Sequence, residues 1–408
     1  MDKHNIFYGK EAYTVHTYQP DFDIESAVLH ELSYMIHMRE QFHAHPELSG
    51  REHETSQTIL HELQKAGIED ARIIADTGVT GLIRGALPGP VLLLRADMDA
   101  LPLTEQYSCS YTSQTPGVMH ACGHDGHTAN LLGVARILQA HRNCLRGTIR
   151  LAFQPAEEGD GGAARMIEAG ILHNPHVDYA LGLHVAGGLP QGYIGLRHGE
   201  CSASCDDFTI TIHGKGGHGS RPSDCISPIQ MGVSIISQIQ DYVYHKRADG
   251  DGVVLTFGQF QSGHNPNVIP DTAELKGTLR TYNEKKRQDI LETLQHILTA
   301  SETIYGGTCQ LHVVPFSPVC INDDAVTSRV ESILRHHMAD RIQLITMERG
   351  SGSEDFAYFS AAVPSCFYYT GIYDKEPVFG HNPDFHWDSH ALQYMAESML
   401  TLVYYFAG

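Results

Sequence analysis

The sequence has no apolar run near the roughly 20 residues that a membrane-spanning helix needs, which argues against a membrane partner. It is also short of positive charge, because 28 Lys and Arg face 48 Asp and Glu, a formal net charge of −20. A surface that binds nucleic acid usually carries a basic patch, so this balance argues against a nucleic-acid partner. Residues 1–20 lack the basic start and apolar core of a secretory signal, which predicts an intracellular, cytoplasmic protein.

Two common hydrolase signatures are missing as well. The chain has no Gly-x-Ser-x-Gly motif for a serine nucleophile and no His-Glu-x-x-His pair for a zinc peptidase. Its nine cysteines form no Cys-x-x-Cys pair, and their odd number favours reduced thiols over a disulfide framework. Histidine is abundant instead, with 27 residues against a single tryptophan. Because imidazole is the commonest metal ligand, this content points to metal chemistry.

At 408 residues the chain is long enough for two or three domains. Strand patterns, such as those near 91–94 and 148–153, alternate with helical ones in the first half, which is typical of an α/β layer structure. The order then changes to β-α-β-β-α-β, the ferredoxin-like unit, before the α/β pattern resumes. We therefore expect an α/β domain formed by residues 1–200 and 319–408, interrupted by a smaller α+β domain at residues 201–318.

Metal-ligating side chains are concentrated in the segment Met-His-Ala-Cys-Gly-His-Asp-Gly-His at residues 119–127, directly before an apolar helix. Within it, Cys122 and His124 lie on a glycine-flanked turn that can aim both at one ion. Thiolate and imidazole together suit zinc or another borderline-soft divalent metal. A helix-start loop with coincidental histidines is the alternative interpretation.

Acidic side chains follow the buried strands. Asp97 and Asp99 come after one strand, and Glu157 and Glu158 come after the next. A third strand ends at His184. In open α/β sheets ligands bind at the carboxyl ends of the strands, so these side chains are expected on one rim of one sheet. Two adjacent carboxylates leaving a strand point in different directions, so one can coordinate a metal while the other handles a proton. Each segment alone would also fit a solvated loop.

These residues belong to a longer series of motifs that runs in the order found in one enzyme family. The chain resembles the metal-dependent amidohydrolases that include hippurate hydrolase, indole-acetyl-amino-acid hydrolase and bacterial N-acyl-amino-acid deacylases, relatives of aminoacylase and the co-catalytic zinc carboxypeptidases. The resemblance covers about residues 35–390. Its segments are 43–48, 95–102, 119–127, 155–159, 182–184, 214–218, 267–271, 277–280, 353–356 and 380–383.

The resemblance implies a zinc-peptidase-like α/β/α catalytic domain with a lid and dimerisation insert. It also implies two divalent metal ions per subunit, zinc or manganese, with cobalt or nickel as further options. By position the ligands would be Cys122, His124, Glu158, His184 and His381. Glu157 would be the catalytic carboxylate, and Asp97 would orient a ligand. The chain departs from the carboxypeptidase relatives at Arg95, where they carry a His ligand.

The implied reaction is hydrolysis of the amide bond of an N-acyl-L-amino acid, a small-molecule substrate, to the acyl acid and the free amino acid. Glu157 would take a proton from water and pass it to the leaving amine. His218 would stabilise the oxyanion from the partner subunit of a homodimer or larger homo-oligomer. Asn267 and Arg280 would hold the α-carboxylate of the substrate, for which an Arg fork is suited.

Two other functions stay open on the sequence. A dipeptidase or carboxypeptidase would use the same two-metal site and differ only in its pocket. A binding protein that has lost its metal is the other possibility, and the intact set of candidate ligands argues against it. The sequence names neither the acyl group nor the amino acid.

Overall fold

A computed structural model describes residues 20–159, 161–247 and 252–406 of the chain. Residues 1–19, which make up nearly all of the segment expected to lack a secretory signal, lie outside these ranges. Among the described helices, none combines the length and the apolar character that crossing a membrane would require.

The first part of the chain alternates helices and strands, as its periodicity predicts. Its elements are α1 (Ile24–Ala44), α2 (His53–Lys65), β1 (Glu69–Ile74), β2 (Gly78–Arg84), β3 (Leu87–Asp97), α3 (His124–Ala140), β4 (Arg146–Gln154), α4 (Gly162–Glu168), β5 (Tyr179–Pro190), β6 (Tyr193–Leu196) and β7 (Gly199–Ser202). The middle part consists of β8 (Ser204–His213), β9 (Gly217–His218), α5 (Pro228–Arg247), β10 (Val254–Gln261), β11 (Val268–Ile269), β12 (Thr272–Thr281), α6 (Glu284–Tyr305) and β13 (Thr308–Ser317). The last part adds β14 (Cys320–Asn322), α7 (Asp324–His337), β15 (Gln343–Thr346), α8 (Ala357–Ala362), β16 (Ser365–Tyr373) and α9 (Leu392–Phe406).

Eight strands form the main sheet in the order β1-β2-β4-β3-β5-β16-β6-β15. The central strands β4, β3, β5 and β16 run parallel, so their carboxyl ends lie at one edge. Alternate residues of β3 face two separate cores: Leu92 and Leu94 pack under α1, α2, α3, α7 and α9, whereas Leu93 packs under α4 and α8. This is the expected α/β/α arrangement, and it buries β3 on both faces.

The middle part forms its own antiparallel sheet in the order β10-β12-β8-β13. Helices α5 and α6 cover one face of it and bury Phe208, Ile210 and Ile212 of β8. The resulting order β8-α5-β10-β12-α6-β13 is the ferredoxin-like unit that the sequence predicts. The chain returns to the main sheet through β14, which pairs with β7.

Two local expectations were wrong. The sequence pattern puts the 119–127 motif before a helix, but α3 begins inside it, at His124. The pattern also ends a strand at His184, whereas β5 continues to Pro190 because it stays paired with β16 after its pairing with β3 stops at Gly182. His184 therefore lies in the part of β5 that is no longer paired with β3, close to the edge where the parallel strands end.

Candidate metal centre

The 119–127 segment makes a tight turn against β5. Gly123 has a left-handed φ of 94°, and a Cβ there would lie 2.5 Å from Cγ2 of Val185, so only glycine fits without displacement. The close approach brings Cys122 next to His184, with 3.5 Å between the thiol sulfur and Nε2. It also starts α3 with His124 fully buried in its first turn.

Asp99 organises the acidic turn after β4. Its Oδ1 accepts the backbone N–H of Glu157 at 3.1 Å, and its Oδ2 accepts that of Glu158 at 3.0 Å and the Ser49 hydroxyl at 2.6 Å. Held in this way, the two glutamates point to different partners, as expected for adjacent carboxylates. The sequence singled out Asp99 as an acid at a strand end but gave it no role.

His381 arrives from the far end of the chain. Its backbone N–H donates to the carbonyl of Ala121 at 2.7 Å, and its Nε2 lies 2.9 Å from Oε1 of Glu158. The donor atoms of Cys122, His124 and Glu158 lie within 4.8 Å of one another. The structure thus brings together all five side chains that the resemblance proposes as metal ligands.

The histidine hydrogen bonds leave the right nitrogen atoms free for a metal. His124 donates from Nδ1 to the backbone carbonyl of Asp99 at 2.9 Å, which leaves Nε2 as the nitrogen that could bind a metal. That Nε2 is buried and has no hydrogen-bond partner. His184 donates from Nδ1 to the carbonyl of Val185 at 2.7 Å, which turns its Nε2 toward Cys122. A thiol, imidazole nitrogens and a carboxylate in this arrangement fit a divalent metal.

The electrostatics of the cluster favour the thiolate. Burial opposes ionisation of Cys122, but the imidazoles of His184 and His124 lower its pKa to about 6. Burial likewise disfavours a charged His184, yet the neighbouring Cys122 raises its pKa to about 9. Hydrogen bonds to Cys122 and Glu158 raise the pKa of His381 to about 10. The thiolate is the form that binds metal, whereas a metal would have to displace a proton from each of the two histidines.

Asp97 lies in the site but contacts His127 rather than a proposed ligand. Its Oδ1 accepts from Nδ1 of His127, and its Oδ2 accepts from Arg95 at 2.6 Å. The distance from Oδ2 to Nε2 of His124 is 3.7 Å, too long for a hydrogen bond. His127 in turn accepts the backbone N–H of Val185 at 3.0 Å. His127 therefore links Asp97 to the bend of β5 that carries His184, a contact that the sequence did not predict.

A second buried acidic group surrounds Glu157. Its Oε1 accepts the backbone N–H of Asp355 at 3.3 Å. Burial, and then the carboxylates of Glu354, Glu158 and Asp355, raise the pKa of Glu157 well above its usual value. Arg95 points into this group, 2.8 Å from Glu354 and 3.0 Å from Asp355. The segment 353–356 was part of the resemblance, but no role was assigned to it.

One cavity of about 610 Å³ connects the metal centre to the middle sheet. Four of the five proposed metal ligands line it together with Glu157, and so does Arg280 of β12. Arg280 is half-buried and donates to the Ser353 hydroxyl at 3.2 Å. The lining residues are Cys122, Glu157, Glu158, His184, Ser202, Cys205, Asp207, Arg280, Phe316, Gly350, Ser351, Gly352, Ser353, Glu354, Phe367, Tyr369 and His381.

His218 and Asn267 lie together, but not in the lining of this cavity. They occupy the two-stranded ribbon of β9 and β11, where the N–H of Gly219 donates to the carbonyl of Asn267 at 2.8 Å. Both side chains are exposed. Nδ1 of His218 accepts the backbone N–H of Ser220 at 3.1 Å. Within one chain the structure therefore joins Arg280, but not these two residues, to the cavity.

The comparisons with known proteins agree on one family. The model of peptidase family M20/M25/M40 matches residues 93–404. N-acetylcysteine deacetylase of Bacillus subtilis is 38% identical over 370 residues, 89% of this chain and 95% of that protein. Thermostable carboxypeptidase 2 of Saccharolobus solfataricus is 38% identical over 347 residues, 84% of this chain and 87% of that protein. The crystal structure of the Bacillus subtilis YXEP protein, described as a dinuclear metal binding peptidase of the M20 family, superposes with a TM-score of 0.80 at 34% identity, covering 93% and 99% of the two chains.

Proposed function

Because the chain belongs to peptidase family M20/M25/M40 and is therefore a hydrolase, we propose that it cleaves the amide bond of N-acyl-L-amino acids. The observation that supports this most directly is the shared cavity, which Arg280 lines together with Glu157 and four of the proposed metal ligands. A cavity lined by candidate metal donors and one guanidinium suits a substrate with an amide and a nearby carboxylate. The relative named N-acetylcysteine deacetylase supports the same substrate class.

Each group has a role in the proposed reaction. Cys122, His124, Glu158, His184 and His381 would hold two divalent ions, for which we propose zinc or manganese. Such ions act as Lewis acids toward a carbonyl group and water. Glu157 lines the cavity and would take the proton of the attacking water and return it to the leaving amine. Asp99 would position the ligands through the hydrogen bonds described above, and Asp97 would act on the strand that carries His184 through His127.

Removing metal should abolish activity. A strong chelator is expected to inactivate the protein on N-acetyl amino acids, and zinc, manganese or cobalt should restore turnover, because the donor set fits a divalent metal. The measurement is initial rate together with metal content by atomic emission, before and after reconstitution. Full activity in protein shown to be metal-free would rule out the proposed mechanism.

We further propose that residues 201–318 act as a lid and dimerisation domain, so that His218 and Asn267 complete the site of a partner subunit. Both are exposed on the β9–β11 ribbon, outside the cavity of their own chain. The same part of the chain exposes apolar side chains along α5, with Val233 57% and Tyr244 73% exposed. An uncovered apolar stripe of this kind is typical of an interface.

A mixing experiment tests the role of His218 in trans. His218→Ala and Glu157→Gln are each expected to be nearly inactive, but mixed and reassembled dimers should recover part of the activity. In a mixed dimer, one site would combine an intact Glu157 with an intact His218 from the other subunit. The readouts are turnover after mixing and sedimentation of the wild type. A fully active monomer, or no recovery from dimers shown to exchange, would contradict this arrangement.

A carboxypeptidase is the second candidate function. The relative named thermostable carboxypeptidase 2 is as similar as the deacetylase. Asp207, an exposed carboxylate in the cavity lining, would suit the free amino group of a peptide substrate. Comparing kcat/KM for acetyl and benzoyl amino acids with that for the matching dipeptides distinguishes the two functions, because a deacylase should prefer the blocked amine.

A further inference from the structure

Arg39 connects two parts of the metal centre that are distant in sequence. It lies in α1 and is 1% exposed. Its Nε donates to Asp125 at 3.2 Å, while its Nη1 donates to the carbonyl of Trp387 at 2.9 Å and to the Ser389 hydroxyl at 2.6 Å. The guanidinium carbon also lies 3.5 Å from the centroid of the Trp387 ring. One buried cation thus joins the first turn of α3 to the segment of residues 374–391, which we name the C-terminal loop.

Both parts carry proposed metal ligands. Asp125 directly follows His124 in α3, and the C-terminal loop contains His381. The loop packs closely on α3, because a Cβ at Gly126 would collide with the Trp387 ring. Besides its backbone bond to Ala121, the loop has other contacts. The N–H of Val378 donates to the carbonyl of Gly187 at 2.9 Å, the carbonyl of Pro383 accepts the N–H of Gln106 at 2.8 Å, and the His386 ring stacks on Tyr107 with 3.7 Å between the ring centroids.

The contacts of Arg39 require the shape of a guanidinium and not only its positive charge. Asp125 also accepts from Nδ1 of His43 at 2.9 Å, and Nε2 of His43 lies 3.1 Å from Glu105. A lysine at position 39 could keep the pairing with Asp125. It could not at the same time donate to Trp387 and Ser389 and stack on the indole, because these contacts use the planar fork of arginine.

We propose that Arg39 is a positioning residue that sets the metal affinity of the centre, by holding the C-terminal loop so that His381 stays beside Glu158. The inference rests on the proposed function, because it takes His381 as a ligand. Without Arg39 the loop would sample more conformations, and binding a metal would have to order it. Contacts that orient metal ligands typically change affinity about 10- to 100-fold when they are removed.

A double-mutant cycle in metal affinity tests this inference. Zinc affinity is measured by competition with a chromophoric chelator for the wild type, Arg39→Lys, His381→Ala and the double variant. We expect Arg39→Lys to weaken zinc binding about 10- to 100-fold. His381→Ala should weaken it too. The double variant should match His381→Ala, because lysine keeps the pairing with Asp125 beside His124 and loses only the contacts with the loop that carries His381.

Arg136 provides a matched control. It is an arginine of α3 that pairs with Glu31 of α1 at 2.7 Å and lies over the Tyr34 ring at 4.2 Å, so it also joins two helices. Its hydrogen bonds to Glu31 and its ring contact with Tyr34 all go to α1 and not to the C-terminal loop, so Arg136→Lys should leave zinc affinity unchanged. If Arg39→Lys fails to fold, Ser389→Ala removes one of the Arg39 hydrogen bonds and should weaken zinc binding in the same direction, by less.

The outcomes separate the inference from the proposed function. Unchanged zinc affinity in a folded Arg39→Lys protein, or equal losses from Arg39→Lys and Arg136→Lys, would overturn the positioning role. Additive losses in the double variant would overturn it as well, since Arg39 would then act independently of His381. Unchanged affinity in His381→Ala would instead refute the ligand assignment in the proposed function, and the inference with it.

Discussion

The variant Glu157→Gln is expected to bind metal normally and to lose turnover by about 10²–10⁴-fold, the usual contribution of general acid–base catalysis. Glu157 lines the cavity, but it is absent from the donor group formed by Cys122, His124 and Glu158. Glutamine keeps the size of the side chain and its hydrogen bond from Asp355, so only the proton-transfer group is removed.

The same substitution should not destabilise the protein. Burial and neighbouring carboxylates raise the pKa of Glu157, which means that its ionised form is costly in the folded state. A neutral glutamine removes that repulsion, so the melting temperature should stay the same or rise. Such an exchange of stability for activity is common at functional sites.

Glu158→Gln is the matched control, because it makes the same chemical change one residue away. Glu158 lies 2.9 Å from His381 and within the donor group, so its loss should lower metal content. Measuring kcat and bound metal for both variants separates the two roles. Near-normal kcat in Glu157→Gln would place the base elsewhere, and equal metal loss in both would make Glu157 a ligand.

The layer architecture could be predicted from the sequence because the spacing of apolar residues indicates which faces of a helix or strand are buried. The run Val91–Leu94 predicts a strand buried on both faces, and the structure buries Leu92, Leu93 and Leu94 between two helical layers. The start of α3 could not be predicted in this way. The residues from His124 to His127 are polar and indicate a loop, yet His124, Asp125 and His127 are at most 1% exposed, because each is paired inside the fold.

Contacts between residues far apart in the sequence are the part of the site that could not be predicted from it. Arg95 meets Glu354 across 259 positions, and Arg39 meets Trp387 across 348. Neither pair lies on a shared helix face or strand, so no periodicity reveals it. The proposed metal ligands could be predicted because each of them lies in a short sequence motif. The residues that orient them, such as Asp99 and His127, depend on tertiary contacts.

Loss of the α-carboxylate from the substrate should be the other large effect. Among the described residues that line the cavity, Arg280 is the one Arg or Lys, whereas Glu157, Glu158, Asp207 and Glu354 are acidic. With a formal net charge of −20, the chain does not attract an anion by its overall field. Binding of a carboxylate would therefore depend on the guanidinium of Arg280, because an arginine fork can donate two parallel hydrogen bonds to a carboxylate and lysine cannot.

We expect an N-acyl amino acid carboxamide to be cleaved about 10- to 100-fold less efficiently than the parent acid, since a hydrogen bond to a charged group contributes about 1.5–3 kcal/mol. Arg280→Gln should reduce kcat/KM for the acid by a similar factor and barely affect the carboxamide, because the carboxamide already lacks the contact with Arg280.

Lys276→Gln is the matched control. It removes one positive charge from the same strand, four residues away and outside the cavity lining. Steady-state rates for both substrates with all three proteins provide the comparison. Equal kcat/KM for acid and carboxamide in the wild type would show that Arg280 does not bind the substrate carboxylate, and an equal loss in Lys276→Gln would assign the effect to overall charge.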